Sequence, residues 1–348
     1  MSTQLESGQL GVERRSELVE LTYREAIAAA LADEMRADPS VVLLGEDVGQ
    51  AGGPFKTSEG LFSQFGPSRV IDTPIAENGF LGAALGMAVT GLRPVAEIMF
   101  SDFLPVAGDA LVNEIPKFRF MSGGQTRVPL TVRAIGGGTG YFGTQHSATG
   151  ESWFLQVPGL RVVTASLPGS AYQLLRTSIQ LDDPVLFIEH KGMYTRRGLV
   201  QRGDEQRAPV GRAQVLRRGQ DVTLVATLLM VERALKAAEL LSAEGVEVEV
   251  IDLQWLDPLD LDSVQASVGR TGRLVVAEEQ PHAGGWGATL ISHLAMEGTR
   301  WRTPPRAASM PRAPLPFSPP LEDAAIPGVE RIAAAVRASC GLLEVSRD

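Results

Sequence analysis

Cysteine is almost missing from this chain of 348 residues, which has a single one, Cys340. That excludes an internal disulfide framework and suits a reducing cytoplasm. Long apolar runs are missing too. No stretch approaches the roughly 18 uninterrupted apolar residues of a membrane-spanning helix, so no membrane span is expected. The first 19 residues lack the apolar core of a signal peptide and read as a disordered leader, residues 1–19. There is no basic stripe, and the formal net charge of −9 argues against a nucleic-acid surface. Internal repeats at a period of about 20–50 residues are absent as well.

What is present is enough to bury a substantial core in two domains. Thr22-Tyr-Arg-Glu25 has the spacing of a capping box and opens a helix over 23–36. Val41-Val-Leu-Leu44 then reads as a strand covered on both faces. The alternation recurs, with strands expected over 94–100, 128–135, 160–165 and 184–189. Helices are expected over 79–89, 107–118 and 171–180. This is an α/β pattern, a mostly parallel sheet flanked by helices, and it occupies 20–198. A polar, weakly periodic stretch over 199–220 reads as a linker. A second, smaller α/β domain follows over 221–348. The proline-rich segment 304–320 is expected as an extended arm rather than a regular element.

Three side chains carry chemistry in this pattern. Glu77 lies in Asp72-Thr-Pro-Ile-Ala-Glu-Asn-Gly-Phe80, ahead of the small-residue run from Gly79 to Ala88. Small residues let backbones pack closely, so the helix reads as buried and so does its start. Burial raises a carboxylate's pKa and lets it share a proton with a ring nitrogen. The alternative is an exposed glutamate favoured by the helix dipole. Phe103 ends an apolar strand, where side chains reach a cleft at a sheet's carboxyl edge; the alternative is a core phenylalanine. His146 follows the Gly-rich loop Gly136–Gly143, where a titratable ring suits proton relay or a carboxylate substrate. Ordinary loop hydrogen bonding is its alternative. His190, His282 and His293 have no such support. Gly138, Gly140 and Gly143 match a dinucleotide fingerprint literally, but no Asp or Glu lies between Glu151 and Asp182 to bind a ribose, so a nicotinamide cofactor is rejected.

The Glu77 run comes first, then Gly91-Leu-Arg-Pro-Val-Ala-Glu-Ile-Met-Phe-Ser-Asp-Phe103, Lys117-Phe-Arg-Phe-Met-Ser-Gly-Gly124 and Gln145-His146-Ser147. In this order they resemble the beta subunit of the thiamine-diphosphate-dependent E1 component of 2-oxo-acid dehydrogenase complexes, a transketolase-like family, from about Leu21 to about Arg337. The resemblance implies a pyrimidine-binding domain followed by a transketolase C-terminal domain. It implies that Glu77 hydrogen-bonds N1′ of the cofactor's aminopyrimidine, that Phe103 stacks on that ring and that Ile75 lines it. It gives His146 contact with substrate-derived intermediates or the lipoyl group.

The same resemblance implies a structural monovalent cation, K⁺, held by backbone near Leu130 and at Ser178, Ile179, Leu181 and Asp183. Some positions depart from the family: Val106 stands where glutamine is common, Leu181 where an acidic residue is common, and Thr289 where glutamate is usual. Thiamine enzymes anchor the diphosphate through Mg²⁺ with a Gly-Asp-Gly motif. Here Gly108-Asp109 leads to Ala110, and Gly203-Asp204 to Glu205. An alpha subunit must then supply the Mg²⁺ end in an α2β2 heterotetramer, with an E2 lipoyl acyltransferase as acceptor. The substrate expected is a small 2-oxo acid, pyruvate foremost, or acetoin. Other readings are a branched-chain E1 beta subunit, a self-sufficient transketolase-like enzyme and a non-catalytic scaffold subunit. Length and the missing motif count against the second.

Overall fold

The computed structural model describes residues 17–203 and 206–342. The expected leader mostly lies outside these residues, but Glu17–Thr22 is a strand, so residues 17–19 belong to the folded chain. It pairs antiparallel with Arg197–Arg202. The capping box at Thr22 is present: the Thr22 N–H donates to Glu25 Oε2 at 2.7 Å and the Glu25 N–H to Thr22 Oγ1 at 3.3 Å. It starts the helix Tyr23–Ala37.

The larger of the two main sheets has seven strands. Across it run Trp255–Asp257, Arg161–Thr164, Val185–His190, Thr131–Gly136, Arg93–Ile98, Val41–Gly45 and Val70–Asp72. Six of these are mutually parallel, and Trp255–Asp257 alone runs antiparallel to its neighbour. That strand comes from beyond the expected linker, so the second half of the chain completes the edge of the first half's sheet. Every residue of Val41–Gly45, Thr131–Gly136 and Val185–His190 is buried, as strands covered by helices on both faces require.

The smaller sheet has five strands in the order Arg306–Met310, Leu274–Pro281, Val222–Ala226, Val248–Asp252 and Gln214–Arg217. Two expectations change here. Gln214–Arg217, inside the stretch read as a linker, pairs antiparallel with Val248–Asp252. Arg306–Met310, inside the stretch read as an extended arm, pairs parallel with Leu274–Pro281. The prolines at 304, 305 and 311 flank that strand without interrupting it, and an edge position asks for hydrogen bonds on one side only.

The single helix expected over 107–118 is instead three turns of different pitch. A tight turn spans Ser101–Ala107, a wide one Ala110–Glu114, and a regular α-helix Ile115–Met121. Pro105 and Pro116 each remove a backbone donor, which breaks the regular ladder. No helix among the described residues is long and apolar enough to cross a membrane.

Candidate active site

In a parallel sheet the ligand cleft lies at the carboxyl ends of the strands. Glu46 follows Val41–Gly45, Glu77 follows Val70–Asp72, Phe103 follows Arg93–Ile98, and the His146 loop follows Thr131–Gly136. The sheet therefore brings to one edge three residues that the sequence separates widely.

Glu77 is the first residue of the helix Glu77–Val89 and is only 6% exposed. Its carboxylate makes no hydrogen bond among the described residues. Glu46, not singled out from the sequence, is also buried, and its Oε1 has no partner. Burial pushes the Glu46 pKa up, and the neighbouring charges of Glu77 and Asp47 push it further. The two carboxyl groups are thus close enough for the charge of one to act on the other. The signal for Glu46 was its place directly after a fully buried parallel strand. Around this pair Ile75 is 84% exposed and Val106 58%.

His146 closes a single tight helical turn, Thr144–His146. Its ring stands edge-on to Phe100, with centroids 4.8 Å apart, and to Phe103 at 5.6 Å. Phe103 and His146 are therefore in contact, and the half-buried Phe103 leaves part of its surface free. Lys191 Nζ donates to the His146 carbonyl at 2.7 Å and also to the Gly137 carbonyl. Burial lowers Lys191 to about 8, against the opposing pull of Glu279, Asp102 and Glu322. On the other side of the loop Asp102 Oδ2 accepts the Ala148 N–H at 3.1 Å. Burial raises Asp102, while Ala148, Lys191 and His146 act to lower it. A cavity of about 270 Å³ opens beside the loop, lined by Thr144, Ser147, Thr149, Trp153, Glu279 and Leu315 among others.

The glycines of this loop do not cradle an anion. The Gly138 and Gly140 N–H groups donate to Glu279 and Glu322, and no α-helix follows the turn. His190, set aside in the sequence, is fully buried against Glu279. His282 is exposed and sits 3.3 Å from Glu278, and His293 is on the surface. A second cavity of about 620 Å³ lies at the opposite edge of the sheet, around Arg119, Phe120, Leu160 and Pro184. It contains none of the three chemical residues.

Residues 19–197 match the transketolase pyrimidine-binding domain, and residues 211–332 match the transketolase C-terminal domain. The beta subunit of acetoin:2,6-dichlorophenolindophenol oxidoreductase from Cupriavidus necator is 41% identical over 328 residues, covering 91% of this chain and 96% of that protein. The mitochondrial pyruvate dehydrogenase E1 component subunit beta-2 of Oryza sativa subsp. japonica is 41% identical, with 92% of this chain and 86% of that protein covered. This chain belongs to the E1 beta-subunit family. A solved structure titled as a split gene transketolase in an inactive beta4 tetramer superimposes with a TM-score of 0.75 at 25% identity, covering 93% of this chain and 99% of that one.

The family is thiamine-diphosphate-dependent, and the residues of this E1 beta chain fit one end of that cofactor. A buried carboxylate without a partner, a half-free aromatic ring and exposed Ile75 suit the flat, nitrogen-bearing pyrimidine. Among the described residues no group of three or more His, Cys, Asp or Glu could hold a metal ion. Four of the five carbonyls expected around a monovalent cation, those of Leu130, Ser178, Ile179 and Leu181, already accept a hydrogen bond. Arg93 Nη1 donates to the carbonyls of Ile179 at 3.2 Å and Leu181 at 3.1 Å, and the Leu130 carbonyl accepts the Val185 N–H at 2.9 Å. The Ser178 carbonyl takes the Leu181 N–H, and the Asp183 side chain is held by Arg119 and Arg161. Of the departures, Val106 and Thr289 are both exposed.

Proposed function

We propose that this chain is the beta half of an E1 enzyme that decarboxylates a 2-oxo acid, pyruvate foremost, or cleaves acetoin, and passes the acyl group to a lipoyl group of an E2 acyltransferase. The observation that carries this reading is the partnerless, buried Glu77 at the same sheet edge as the Phe103–His146 contact. When bound, thiamine diphosphate supplies the carbanion chemistry. The protein's part is orientation and proton control. Glu77 would share a proton with the pyrimidine's ring nitrogen N1′, with the raised carboxyl of Glu46 beside it. Phe103 covers a ring face, and Ile75 lines it. His146 meets the substrate-derived acyl group or the incoming lipoyl group.

An alpha subunit binds Mg²⁺ and the diphosphate in an α2β2 heterotetramer and covers the exposed Ile75 and Val106. A cation such as K⁺ at the Leu130–Asp183 turn would have to share carbonyls with Arg93. The compartment is the cytoplasm, which the single free thiol of Cys340 suits. The test is turnover of pyruvate, acetoin and branched-chain 2-oxo acids with an artificial electron acceptor. Activity is expected only when the chain is co-purified with a subunit carrying a Gly-Asp-Gly motif. Turnover by the isolated, monodisperse chain would overturn the reading.

A further inference from the structure

The loop that carries His146 is tied to the smaller sheet at both of its ends, and Glu279 takes part in both ties, joined at the far end by Gln280, whose Nε2 donates to the Thr149 carbonyl at 3.2 Å. Glu279 lies in Leu274–Pro281 and is only 6% exposed. Its Oε1 accepts the Gly138 N–H at 2.5 Å. Its backbone carbonyl accepts the Thr149 hydroxyl at 2.6 Å. His146 hangs between these two points. Elsewhere on the loop the Gly140 N–H donates to Glu322 Oε1 at 3.1 Å, and the Thr144 hydroxyl to the Leu315 carbonyl at 2.9 Å.

The second oxygen of Glu279 fixes why a carboxylate stands there. Oε2 lies 2.8 Å from His190 Nε2. His190 Nδ1 accepts the Gly192 N–H at 3.1 Å, so the proton of the neutral ring sits on Nε2 and is donated to Glu279. Two donors, Gly138 N–H and His190 Nε2–H, therefore converge on one side chain. A carboxylate accepts both, whereas an amide turns its NH₂ toward one of them and leaves a buried donor unpaired. The loop backbone comes close enough that a methyl group at Gly137 would overlap the His190 ring, and one at Gly138 would overlap Ile326. Burial opposes the charge on Glu279, but the hydrogen bonds from His190 and the Gly138 N–H, with the charge of Arg233, outweigh it and lower its pKa.

We propose that Glu279 is a positioning residue, which sets His146 for the acyl-transfer step from the neighbouring half of the molecule. This rests on the role given to His146 above. A carboxylate that merely glued the two halves together would, when altered, disturb every step of the reaction alike. One that acts through His146 affects only the step His146 performs.

The experiment uses the reconstituted complex with its alpha partner and free lipoamide as acceptor. It compares Glu279→Gln, His146→Ala and the double variant by acyl-transfer rate and by exchange of the cofactor's C2 proton. Misplacement of a reacting group by about 1 Å costs on the order of 100-fold, so Glu279→Gln is expected to slow acyl transfer by about 10–100-fold. C2 exchange, which depends on Glu77, is expected to stay near the wild-type rate. In the double variant Glu279→Gln is expected to add nothing to His146→Ala, since residues acting as a unit are not additive. Should Glu279→Gln fail to assemble, Thr149→Val removes the hydroxyl tie at the other end, leaving the Gln280 bond to the Thr149 carbonyl, and is read in the same way. Multiplying effects in the double variant, or a fall in C2 exchange matching the fall in transfer, would overturn the proposal. A slow His146→Ala beside a wild-type Glu279→Gln overturns it alone. A wild-type rate in His146→Ala removes the reading of His146 and the proposal with it.

Discussion

The two sides of the candidate site are built in opposite ways. Around Glu77 the protein leaves things open: a buried carboxylate without a hydrogen bond, a second orphaned carboxyl at Glu46, and apolar Ile75 exposed at the rim. Around His146 the backbone is tied down from several sides, although the buried hydroxyls of Ser101, Thr139 and Ser147 have no partner among the described residues. Lys191 and Asp102 hold the loop from within the larger-sheet half, and Glu279, Glu322 and Leu315 hold it from the other half. With Ile75 and Val106 exposed beside Glu77, the open side is a surface that something arriving later can cover. The closed side is held by hydrogen bonds before anything binds. One side receives a ligand, and the other presents a residue to it.

If that contrast is right, the largest effect belongs to the open side. Glu77→Gln is nearly isosteric, so folding and assembly should survive. Its amide cannot hold or release a proton in this range. C2-proton exchange of the bound cofactor and turnover are both expected to fall by about 10²–10⁴-fold, the usual scale of acid–base contributions, with only a modest change in cofactor affinity. Exchange at the wild-type rate would remove the central assignment.

His146→Ala should show the complementary pattern. Transfer to the lipoyl acceptor is expected to slow by up to about 10²-fold, with cofactor binding little changed. Unchanged steady-state and single-turnover rates would dissolve the contrast between the two sides.

Beneath the closed side lies a buried ionic cluster. Arg133 is fully buried between Glu97, at 2.5 Å, and Glu189, at 2.6 Å. Burial opposes its charge, but the two carboxylates outweigh it and raise its pKa. Arg133→Met should destabilise the protein by about 3–5 kcal/mol, because it strands buried carboxylates without their partner. Chemical denaturation of the chain measures this. A change below about 1 kcal/mol would mean that the cluster adds little to the stability of the closed side.

The smallest effect is one of pH. Glu151, just past the loop, is buried, and burial, with Glu279 and Glu278 nearby, pushes it up to about 8. Its folded pKa lies above the unfolded value of 4.5, so its contribution to stability is complete below that value and is lost as pH rises through about 8. Glu151→Gln stays neutral throughout. Relative to the wild type it should gain stability between pH 5 and 8 by at least about 1 kcal/mol. Parallel stability–pH curves for the two proteins would show that Glu151 is ionised in the folded state.

Much of the larger sheet was legible in the sequence, because continuous apolar runs such as 41–44 and 185–188 are too short for helices and too apolar for half-exposed strands. Glu77 is buried as expected but not for the expected reason: Gly79, Gly82, Ala83 and Gly86 lie on the exposed face of its helix, and the buried face is made by Phe80, Leu81, Ala84, Leu85 and Ala88. The contact between Phe103 and His146 was not, since it depends on two neighbouring parallel strands ending at one edge, 43 positions apart in sequence. His190 gave no signal either. Its meaning comes from Glu279, 89 positions away, and lies in a hydrogen bond rather than in a motif. The strands Gln214–Arg217 and Arg306–Met310 were hidden by polar and proline-rich surroundings, because edge strands need less apolar content than central ones.

The strand Trp255–Asp257 has a consequence for how the molecule comes apart. An unpaired edge is a template on which other chains can add, and here the edge beside Arg161–Thr164 is covered by a segment borrowed from the other half. Trp255 is itself fully buried. Cutting the chain in the 199–220 stretch would therefore not release two self-contained bodies. It would bare a sticky edge on one and a homeless tryptophan on the other, so the two halves are expected to melt in one cooperative step and to aggregate if they are made separately.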